Sequence, residues 1–278
     1  MAKAFSVASW NVEHFGDGDE QAARRIEFLA EQKPDVIGLY EIEGKEVWRE
    51  IMAGLPGYSF FITEGQNTQE ILVGVGPQLT GFVTQKMEYQ SSVSAMRPGA
   101  FLTVSDDGVD YSILFLHVAS WPEARGFGLR ADMLGRAFKF KKYLDKIAPG
   151  GRANFLFCGD LNTMGLDYVT GREPPPNDRR LIHARISAEQ EIERLAHEGA
   201  EAGMRVLSKN ADATWGNESG TRSNLDHVVA SDQLEFKQFD GADVDVRGWP
   251  KLSEVDQRDW RADFSDHALL YFEVQKPT

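Results

Sequence analysis

The sequence predicts an α/β fold in which two packed β-sheets are flanked by helices. Eight short segments are rich in β-branched or aromatic residues, a composition that is typical of strands. Several of these segments are apolar over almost their whole length, as expected for strands that are covered on both faces. Only three segments show the periodicity of an amphipathic helix. Many strands with few helices favour two sheets that pack against each other with helices outside.

The predicted strands are distributed over the whole chain. They comprise residues 4–10, 35–40, 71–75, 100–105, 111–118, 153–158, 225–231 and 268–274. The stretch 171–180 contains three consecutive prolines, which cannot continue a helix or a central strand. Because the motifs on both sides of it belong to one site, we interpret it as an excursion within one domain. We therefore predict a single domain over residues 1–278.

The three predicted helices lie between strands. In the first, Ala22, Ile26 and Leu29 share one face, and in the second, apolar residues recur every three or four positions. The third begins with a capping box, in which Ser187 is followed three residues later by Gln190. These patterns indicate faces that pack on the core. The segments are 20–32, 129–147 and 187–202.

Composition and charge exclude several classes of protein. The chain has 278 residues, of which 42% are hydrophobic and 26% are charged, as in soluble globular proteins. No apolar stretch approaches the roughly 18 residues of a membrane helix, and the N-terminus lacks the features of a signal peptide. We therefore expect no membrane span and a cytoplasmic location. Cys158 is the only cysteine, so an intramolecular disulfide is impossible, which fits a reducing compartment.

The formal net charge of −13 bears on the partners of the protein. It argues against broad electrostatic adhesion to nucleic acid, because Lys and Arg contacts with phosphates dominate such affinity. It leaves a local basic groove open. A cluster of carboxylates that binds divalent cations would also make the net charge negative.

Polar or ionisable side chains recur where the predicted strands meet loops. Each one alone is weak evidence, because an asparagine after a strand is usually a turn residue and an Asp–His pair is usually structural. Six such strand ends in one chain are much harder to explain by turn chemistry, and loops on a rigid sheet often carry functional groups. The residues are Asn11, Glu41, His117, Asp160, Asn162, Asp226, Asp266 and His267.

This set of side chains indicates hydrolysis assisted by a hard cation. It contains carboxylates, amides and two histidines, but no pair of cysteine ligands and no HExxH motif. Oxygen ligands favour Mg²⁺ or Mn²⁺ over a structural zinc ion. A hard cation beside histidine and carboxylate groups suits the hydrolysis of a phosphate ester. The sequence has no P-loop and no GxGxxG turn, and hydrolysis needs neither.

The ordered motifs resemble those of the endonuclease/exonuclease/phosphatase superfamily, whose fold is similar to that of pancreatic deoxyribonuclease. The resemblance covers almost the whole chain, and one departure is Tyr40, where the family commonly has glutamine. It implies a four-layer α/β/β/α sandwich of two packed mixed β-sheets flanked by helices. The motifs are "WN", "DVIGLYE", "LHVAS", "GDLNT", "NLDHVVAS" and "SDHALL".

The resemblance also implies roles for the site residues. Asn11, Glu41 and Asp266 resemble the residues that bind the metal ion, Mg²⁺ or Mn²⁺. Asp160 and Asn162 resemble the pair that orients the attacking water and the scissile phosphate, and two residues separated by one position on a strand point to the same side.

Two histidines resemble catalytic residues of the family. His267 is similar to the active-site histidine, with Asp226 as its carboxylate partner. His117 resembles a second histidine of the deoxyribonuclease-like branch, and we expect Glu70 to orient it.

Several other residues have two open interpretations. Arg97 and Arg222 either contact the substrate phosphate or form structural ion pairs. Glu13 and His14 are interpreted as a solvated or packing pair, and Trp215 as a core residue in preference to one that stacks on a base.

The predicted function is that of a divalent-metal-dependent phosphodiesterase or nuclease. The alternatives are a phosphatase or phospholipase-C-type hydrolase of a small-molecule or lipid phosphate, and a non-catalytic binding protein on the same scaffold. A phosphodiester is the expected substrate, with nucleic acid among the candidates. The sequence indicates no protein partner.

Overall fold

The computed structural model describes residues 2–16, 21–43, 47–65, 69–90, 97–167 and 185–276. Within these ranges the chain forms fourteen strands. They are β1 (Lys3–Phe15), β2 (Val36–Ile42), β3 (Ser59–Ile62), β4 (Glu70–Val75), β5 (Thr80–Lys86), β6 (Gly99–Asp106), β7 (Val109–His117), β8 (Phe155–Asp160), β9 (Met204–Val206), β10 (Trp215–Gly216), β11 (Arg222–Ser223), β12 (Asp226–Ser231), β13 (Asp245–Arg247) and β14 (Leu269–Gln275).

Five α-helices lie within the same described ranges. Helix α4 (Ala188–Glu201) begins with the predicted capping box, because the Ser187 side chain accepts a hydrogen bond from the Gln190 amide and the Gln190 side chain accepts one from the Ser187 amide. None of the described helices combines the length and the hydropathy that crossing a membrane requires. The helices are α1 (Ala22–Glu31), α2 (Val47–Gly54), α3 (Ala124–Ile147), α4 (Ala188–Glu201) and α5 (Glu254–Asp263).

The strands form two six-stranded sheets and one short ribbon. The first sheet has the order β13-β14-β1-β2-β4-β3, and the second has the order β5-β6-β7-β8-β12-β9. Both sheets are mixed, since β1 pairs with β2 and β7 pairs with β8 in parallel, whereas their other pairings are antiparallel. Strands β10 and β11 form the antiparallel ribbon.

Three groups of buried apolar residues show the layers of the fold. The central group lies between the sheets and joins residues of the first sheet, such as Val7 and Phe272, to residues of the second, such as Phe115. A second group packs α3 and α4 on the outer face of the second sheet. A third packs α1 and α2 on the outer face of the first sheet. The predicted α/β sandwich of two packed mixed sheets flanked by helices is therefore confirmed.

The predicted elements are all present, and the structure adds others. Strand β1 continues to Phe15, five residues beyond its predicted end, and α3 begins at Ala124 instead of residue 129. Strand β5 was not predicted because it is a largely exposed edge strand, and α5 was not predicted because its sequence is polar and mostly exposed. Helix α2 and the shorter strands were also not predicted. The proline stretch 171–180 lies outside the described residues.

The close packing of the two sheets makes a specific prediction for Gly38 in β2. A Cβ atom at this position would lie 2.3 Å from Cδ1 of Phe115, which is buried in β7 of the other sheet. We expect Gly38→Ala to lower the free energy of unfolding by about 1–3 kcal/mol through overpacking. Chemical denaturation measures the effect. The control is Gly135→Ala in α3, where no atom lies within 4 Å of the new Cβ and which is expected to stabilise the helix. Equal unfolding free energies of the two variants would contradict this packing.

Candidate active site

A cleft of about 510 Å³ opens at one edge of the two sheets. Its floor and walls combine side chains from both sheets and from the loops that follow them. Among the residues that line it are six that the sequence identified. They are Glu41, His117, Asp160, Asn162, Asp266 and His267.

Irregular backbone at the ends of β1 and β2 brings their polar side chains to the cleft. The parallel pairing of these strands is regular up to Asn11 and Tyr40 and resumes only at Phe15 and Ile42. Between these pairs Glu13, His14 and Glu41 have φ values of 49°, 52° and 64°. Residues other than glycine rarely adopt this left-handed conformation, which often marks functional sites.

Three neighbouring strands of the second sheet place polar residues side by side. Strand β7 ends at His117 and β8 ends at Asp160, and these two residues are partners in the parallel register. Strand β12 begins at Asp226, which pairs with Asp160 from the other side. The three side chains are therefore adjacent because of the sheet topology alone.

Asn162 reaches the cleft by a different route from the one predicted. Strand β8 ends at Asp160, so the alternation of strand side chains does not extend to Asn162. Asn162 instead has a φ of 46°, and its amide N donates to Asp160 Oδ1 at 3.1 Å. Its side-chain Nδ2 donates to the carbonyl oxygen of Val118 at 3.2 Å. Asp160 and Asn162 do line the same cleft, but a tight turn after the strand positions them.

His267 and Asp226 form a buried pair. His267 Nδ1 lies 2.8 Å from Asp226 Oδ2. The other ring nitrogen, Nε2, lies 3.7 Å from Asp160 Oδ2 and 3.9 Å from Asp266 Oδ1. Burial alone would lower the pKa of His267, but the charges of Asp226 and Asp160 and the hydrogen bond that Nδ1 donates to Asp226 raise the pKa well above its ordinary value. The pair therefore holds a positive imidazolium at the base of the cleft.

The side chain of Asn11 forms hydrogen bonds with one carboxylate of each sheet. Its Nδ2 donates to Glu41 Oε1 at 3.2 Å and to Asp160 Oδ2 at 3.0 Å. Its Oδ1 accepts a hydrogen bond from the amide N of Glu13 at 3.0 Å. The oxygen expected to bind a metal ion is thus engaged by the backbone, and the amide nitrogen is the atom that faces the acids.

Carboxylates crowd this cleft. Burial, together with the charge of Asp226, raises the pKa of Asp160 to about 7, although the charge of His267 opposes the shift. Burial also raises the pKa of Asp266, whose Oδ2 accepts a hydrogen bond from Trp215 Nε1 at 2.6 Å. The pKa of Glu13 is raised by burial and by the charge of Asp266, whose amide N donates to Glu13 Oε2 at 3.0 Å. Such a cluster is stabilised by a bound cation.

His117 lies beside two of these carboxylates. Its Nε2 lies 3.6 Å from Glu41 Oε1 and 3.5 Å from Asp160 Oδ2, and its Nδ1 has no hydrogen-bond partner among the described residues. Burial and the charges of Arg97 and His267 lower its pKa well below the ordinary value. The ring is therefore neutral.

Glu70 was expected to orient His117, but no hydrogen bond joins the two side chains in the described part of the chain. The carboxylate of Glu70 accepts hydrogen bonds from the hydroxyl of Thr63 and from the amide N of Gly65, the latter at 2.7 Å. These local partners hold Glu70 at the start of β4.

The two predicted phosphate-binding arginines have protein partners. Arg97 Nε donates to the carbonyl oxygen of Gln69 at 3.0 Å, and burial lowers the pKa of Arg97 although the charges of Glu41 and Asp160 oppose this. Arg222 donates to Gln257 Oε1 at 2.8 Å and lies 5.9 Å from the centre of the Trp249 ring. A phosphate contact for either arginine stays a prediction.

Comparison with protein families identifies the chain. The profile of the "Endonuclease/Exonuclease/phosphatase family" matches residues 8–267. The chain belongs to this endonuclease/exonuclease/phosphatase family. Members of the family are hydrolases that act on phosphoester bonds. A search of curated proteins found no match to the sequence.

Solved structures of this family share the fold at low sequence identity. Truncated TDP2 from Caenorhabditis elegans has 16% identity and a TM-score of 0.64, with 98% of this chain and 97% of that chain covered. D. rerio TDP2 complexed with a single-strand DNA product has 16% identity and a TM-score of 0.66, with 98% and 99% covered. Beta toxin from Staphylococcus aureus has 12% identity and a TM-score of 0.61, with 96% and 99% covered. At these identities the likeness shows the fold.

In this family member, three residues at the cleft were missed or misjudged from the sequence. Glu13 and His14 line the cleft, although they were interpreted as a solvated or packing pair. Trp215 also lines it and donates to Asp266, although it was interpreted as a core residue. Glu13 follows Asn11 by two positions, the same spacing as Asp160 and Asn162. This shared spacing could have indicated that Glu13 lies at the site.

Proposed function

We propose that this protein is a divalent-metal-dependent phosphodiesterase that hydrolyses nucleic-acid or related phosphodiester bonds. Membership of a family of phosphoester hydrolases supports the reaction class. The buried Asp226–His267 pair, with Nε2 of the ring turned to the acids of the cleft, supports catalysis over mere binding.

Each group of the cleft has a role in this proposal. The imidazolium of His267 binds a phosphate oxygen or moves a proton at Nε2, and Asp226 holds the ring through Nδ1. Asp160 accepts a proton from the attacking water, and Asn162 orients the phosphate.

Glu41 and Asp266 supply oxygen ligands for the cation, Mg²⁺ or Mn²⁺, while Asn11 holds Glu41 in place. An ion held by these residues would supply charge neutralisation at the phosphate.

The observation that favours a diester is the shape of the site. A second cavity of about 920 Å³ adjoins the cleft, and both are lined by Glu13, His14 and Asp266. A phosphate held in the cleft by His267 and Asn162 has room for one substituent in the cleft and for another towards the second cavity, which Asp266 also lines. A phosphodiester has two substituents and a monoester has only one, so the paired cavities match a diester.

The second cavity carries both positive and negative side chains, so it attracts an anionic substrate only weakly. Arg258 and Arg261 of α5 line it, but so do Glu218 and Asp259. With this mixed lining and a net charge of −13, we expect nucleic-acid affinity to fall with salt along a shallow slope.

A panel of substrates tests the proposal. With Mg²⁺ or Mn²⁺ present, we expect bis-p-nitrophenyl phosphate to be cleaved faster than p-nitrophenyl phosphate, and single-stranded DNA, double-stranded DNA or RNA to be cleaved as well. The His267→Ala variant controls for a contaminating hydrolase.

Other outcomes of this panel select the alternatives. A preference for the monoester would identify a phosphatase, and cleavage of phospholipid head groups alone would identify a phospholipase-C-type enzyme. No turnover of any substrate would favour a binding protein on this scaffold.

A further inference from the structure

We propose that Arg222 and Arg261 form an anion subsite beside the cleft, and that it takes the phosphate next to the scissile phosphodiester in a nucleic-acid strand. The inference deepens the proposed function, on which it rests for the position of the scissile phosphate, and it names the substrate class. The binding of a strand at the two arginines can be measured without hydrolysis.

The ribbon of β10 and β11 brings the two arginine side chains to one face. Gly216 of β10 is paired with Arg222 of β11, and side chains at directly paired positions of antiparallel strands lie on the same face. A Cβ atom on Gly216 would lie 3.5 Å from Nη1 of Arg261, so the guanidinium of Arg261 lies over Gly216. Because the glycine leaves this space open, the two guanidinium groups are neighbours on the ribbon.

The ring of Trp249 is a second point at which the two arginines meet. The guanidinium carbon of Arg222 lies 5.9 Å from the centre of this ring, and that of Arg261 lies 5.2 Å from it. An aromatic ring attracts a guanidinium group and leaves its N–H donors available to a further acceptor. The ring therefore orients the two groups but supplies no anionic partner.

The positive charges of the two arginines are not neutralised within the protein. No ion pair joins either guanidinium to a carboxylate of the described residues, and the hydrogen-bond acceptors are neutral. Arg222 Nη2 donates to Gln257 Oε1 at 2.8 Å, and Arg261 Nη2 donates to the carbonyl oxygen of Asn217 at 3.4 Å. Burial and the charge of Arg222 lower the pKa of Arg261, although the charge of Asp266 opposes this. An anion bound by both groups would relieve their repulsion.

The mixed charge of the second cavity is consistent with one local anion position. Arg258 Nε lies 3.5 Å from Asp259 Oδ1, so these two residues neutralise each other. Arg261 lines the same cavity and has no such partner among the described residues. The cavity as a whole therefore attracts anions only weakly, while the position at Arg261 is matched to a single phosphate.

Hydrogen bonds attach the ribbon directly to the cleft. The amide N of Gly216 donates to the carbonyl oxygen of Asp266 at 3.0 Å, and Trp215 Nε1 donates to the Asp266 carboxylate at 2.6 Å. Asp266 lines both the cleft and the second cavity. A strand whose scissile phosphate lies in the cleft therefore continues towards the two arginines.

The chemistry of the two arginines selects among the candidate substrates. Arginine matches phosphate because its planar fork donates to two phosphate oxygens at once. A nucleic-acid strand has a further phosphate beside each internal linkage, so it fills the cleft and the subsite together. A lipid phosphodiester with a single phosphate and an isolated aryl diester have no group for the subsite. The pair of arginines therefore favours a strand.

Cleavage of thymidine trinucleotides tests the inference. In TpTpT each linkage has a charged neighbour, whereas replacing one linkage with an uncharged methylphosphonate leaves a single charged phosphate. With metal present, we expect the wild-type kcat/KM per cleavable linkage to be at least about tenfold higher for TpTpT than for either methylphosphonate. In the Arg222→Gln/Arg261→Gln double variant this ratio should fall to about one. The control is Arg136→Gln, because Arg136 pairs with Asp132 on α3 and lines neither cavity.

The salt dependence of binding in EDTA gives a readout without hydrolysis. The logarithm of the affinity for a labelled thymidine decanucleotide should fall linearly with the logarithm of the salt concentration. Loss of one phosphate contact should make this slope shallower by about 0.7 in the double variant, whereas Arg136→Gln should keep the wild-type slope. A purely structural role would weaken binding without changing the slope. If the double variant does not fold, Arg222→Gln alone decides, since Arg222 is an exposed residue of the ribbon.

The contrary outcomes separate the inference from the proposed function. A wild-type ratio near one, or an unchanged ratio and slope in the double variant, would overturn the inference, while hydrolysis of bis-p-nitrophenyl phosphate would leave the proposed function standing. Faster cleavage of pTpT than of TpTpT would also overturn it, because the subsite would then serve a terminal phosphate. If no diester is cleaved but the decanucleotide binds with a slope that depends on the arginines, the proposed function fails and the subsite stands.

Discussion

Replacing Asp226 with asparagine is expected to lower kcat at least about a hundredfold while the protein stays folded. The reason lies in the 2.8 Å contact between Asp226 Oδ2 and His267 Nδ1. The carboxylate fixes the ring and favours the imidazolium, and an amide occupies the same space without the charge. Acid–base contributions of this kind are typically worth about 10²–10⁴ in rate.

A double-mutant cycle shows whether the two residues act as one unit. We expect His267→Ala to reduce kcat by at least as much as Asp226→Asn, and the double variant to be little worse than His267→Ala alone. Turnover of bis-p-nitrophenyl phosphate at saturating metal gives the rates. Asp243→Asn is the control, because this half-buried carboxylate bonds to Ser208 and Gln238 and does not line the cleft.

The pH dependence of stability gives a separate check on the pair. His267 has a raised pKa in the folded protein, so its ion pair with Asp226 contributes fully below about pH 6.5, the ordinary histidine pKa. The contribution is lost as the pH rises through the raised pKa. Asp226→Asn should therefore reduce the melting temperature more at pH 6 than at alkaline pH.

A structural role for Asp226 at the start of β12 would give the opposite results. The melting temperature would then fall equally at every pH, kcat would be spared, and the effects of the two substitutions would be additive.

The fold could be predicted largely because its central strands carry strong local patterns. Strand β8, with the sequence FLFCGD, is buried at every position, so an apolar run identifies it without any tertiary information. Strand β5 and helix α5 carry no such pattern, since most of their residues face solvent. What holds α5 in place is a set of tertiary contacts, such as the ring contact between Trp260 and Phe28 of α1, which no local pattern reveals.

The sequence predicted which residues form the site, but it did not predict how their side chains are oriented. His117, Asp160 and Asp226 are adjacent because three strands pair in one register, and each already followed or preceded an apolar run in the sequence. The roles of Asn11 and Glu13 depend on a left-handed backbone after Asn11, which turns the Glu13 amide onto the Asn11 oxygen. Side-chain orientation at such a bulge is set by both sheets together.

Glu70 also shows that the sequence does not predict which side chains bond to each other. It lies at the start of β4, next to the predicted strand, and its residue type suited the role of an orienting acid. Thr63 and Gly65 are closer partners in the folded chain. A sequence motif that matches loosely predicts that a carboxylate is near the sheet edge, but not which neighbour it bonds.

Removal of divalent metal is expected to abolish activity, and Glu41→Gln is expected to raise the metal concentration needed to restore it. EDTA should stop the hydrolysis of bis-p-nitrophenyl phosphate, and Mg²⁺ or Mn²⁺ should restore it. Oε1 of Glu41 accepts a hydrogen bond from Asn11 Nδ2 at 3.2 Å and Oε2 accepts one from the amide N of His14 at 3.3 Å, which holds the carboxylate at the cleft. Hydrolysis that persists unchanged in excess chelator would contradict the metal assignment.

The Glu41→Gln substitution tests the effect of the negative charge while the size of the side chain is kept. It keeps the size of Glu41 and one oxygen, so the fold should be preserved, but a neutral amide oxygen is a weaker ligand than a carboxylate. We expect at least about tenfold more metal at half-maximal rate, with the maximal rate partly recovered. The matched control is Glu43→Gln, because Glu43 follows Glu41 by two residues but bonds to His14 Nδ1 at 2.6 Å. If the two variants need the same metal concentration, general loss of negative charge explains the effect and Glu41 is not a ligand.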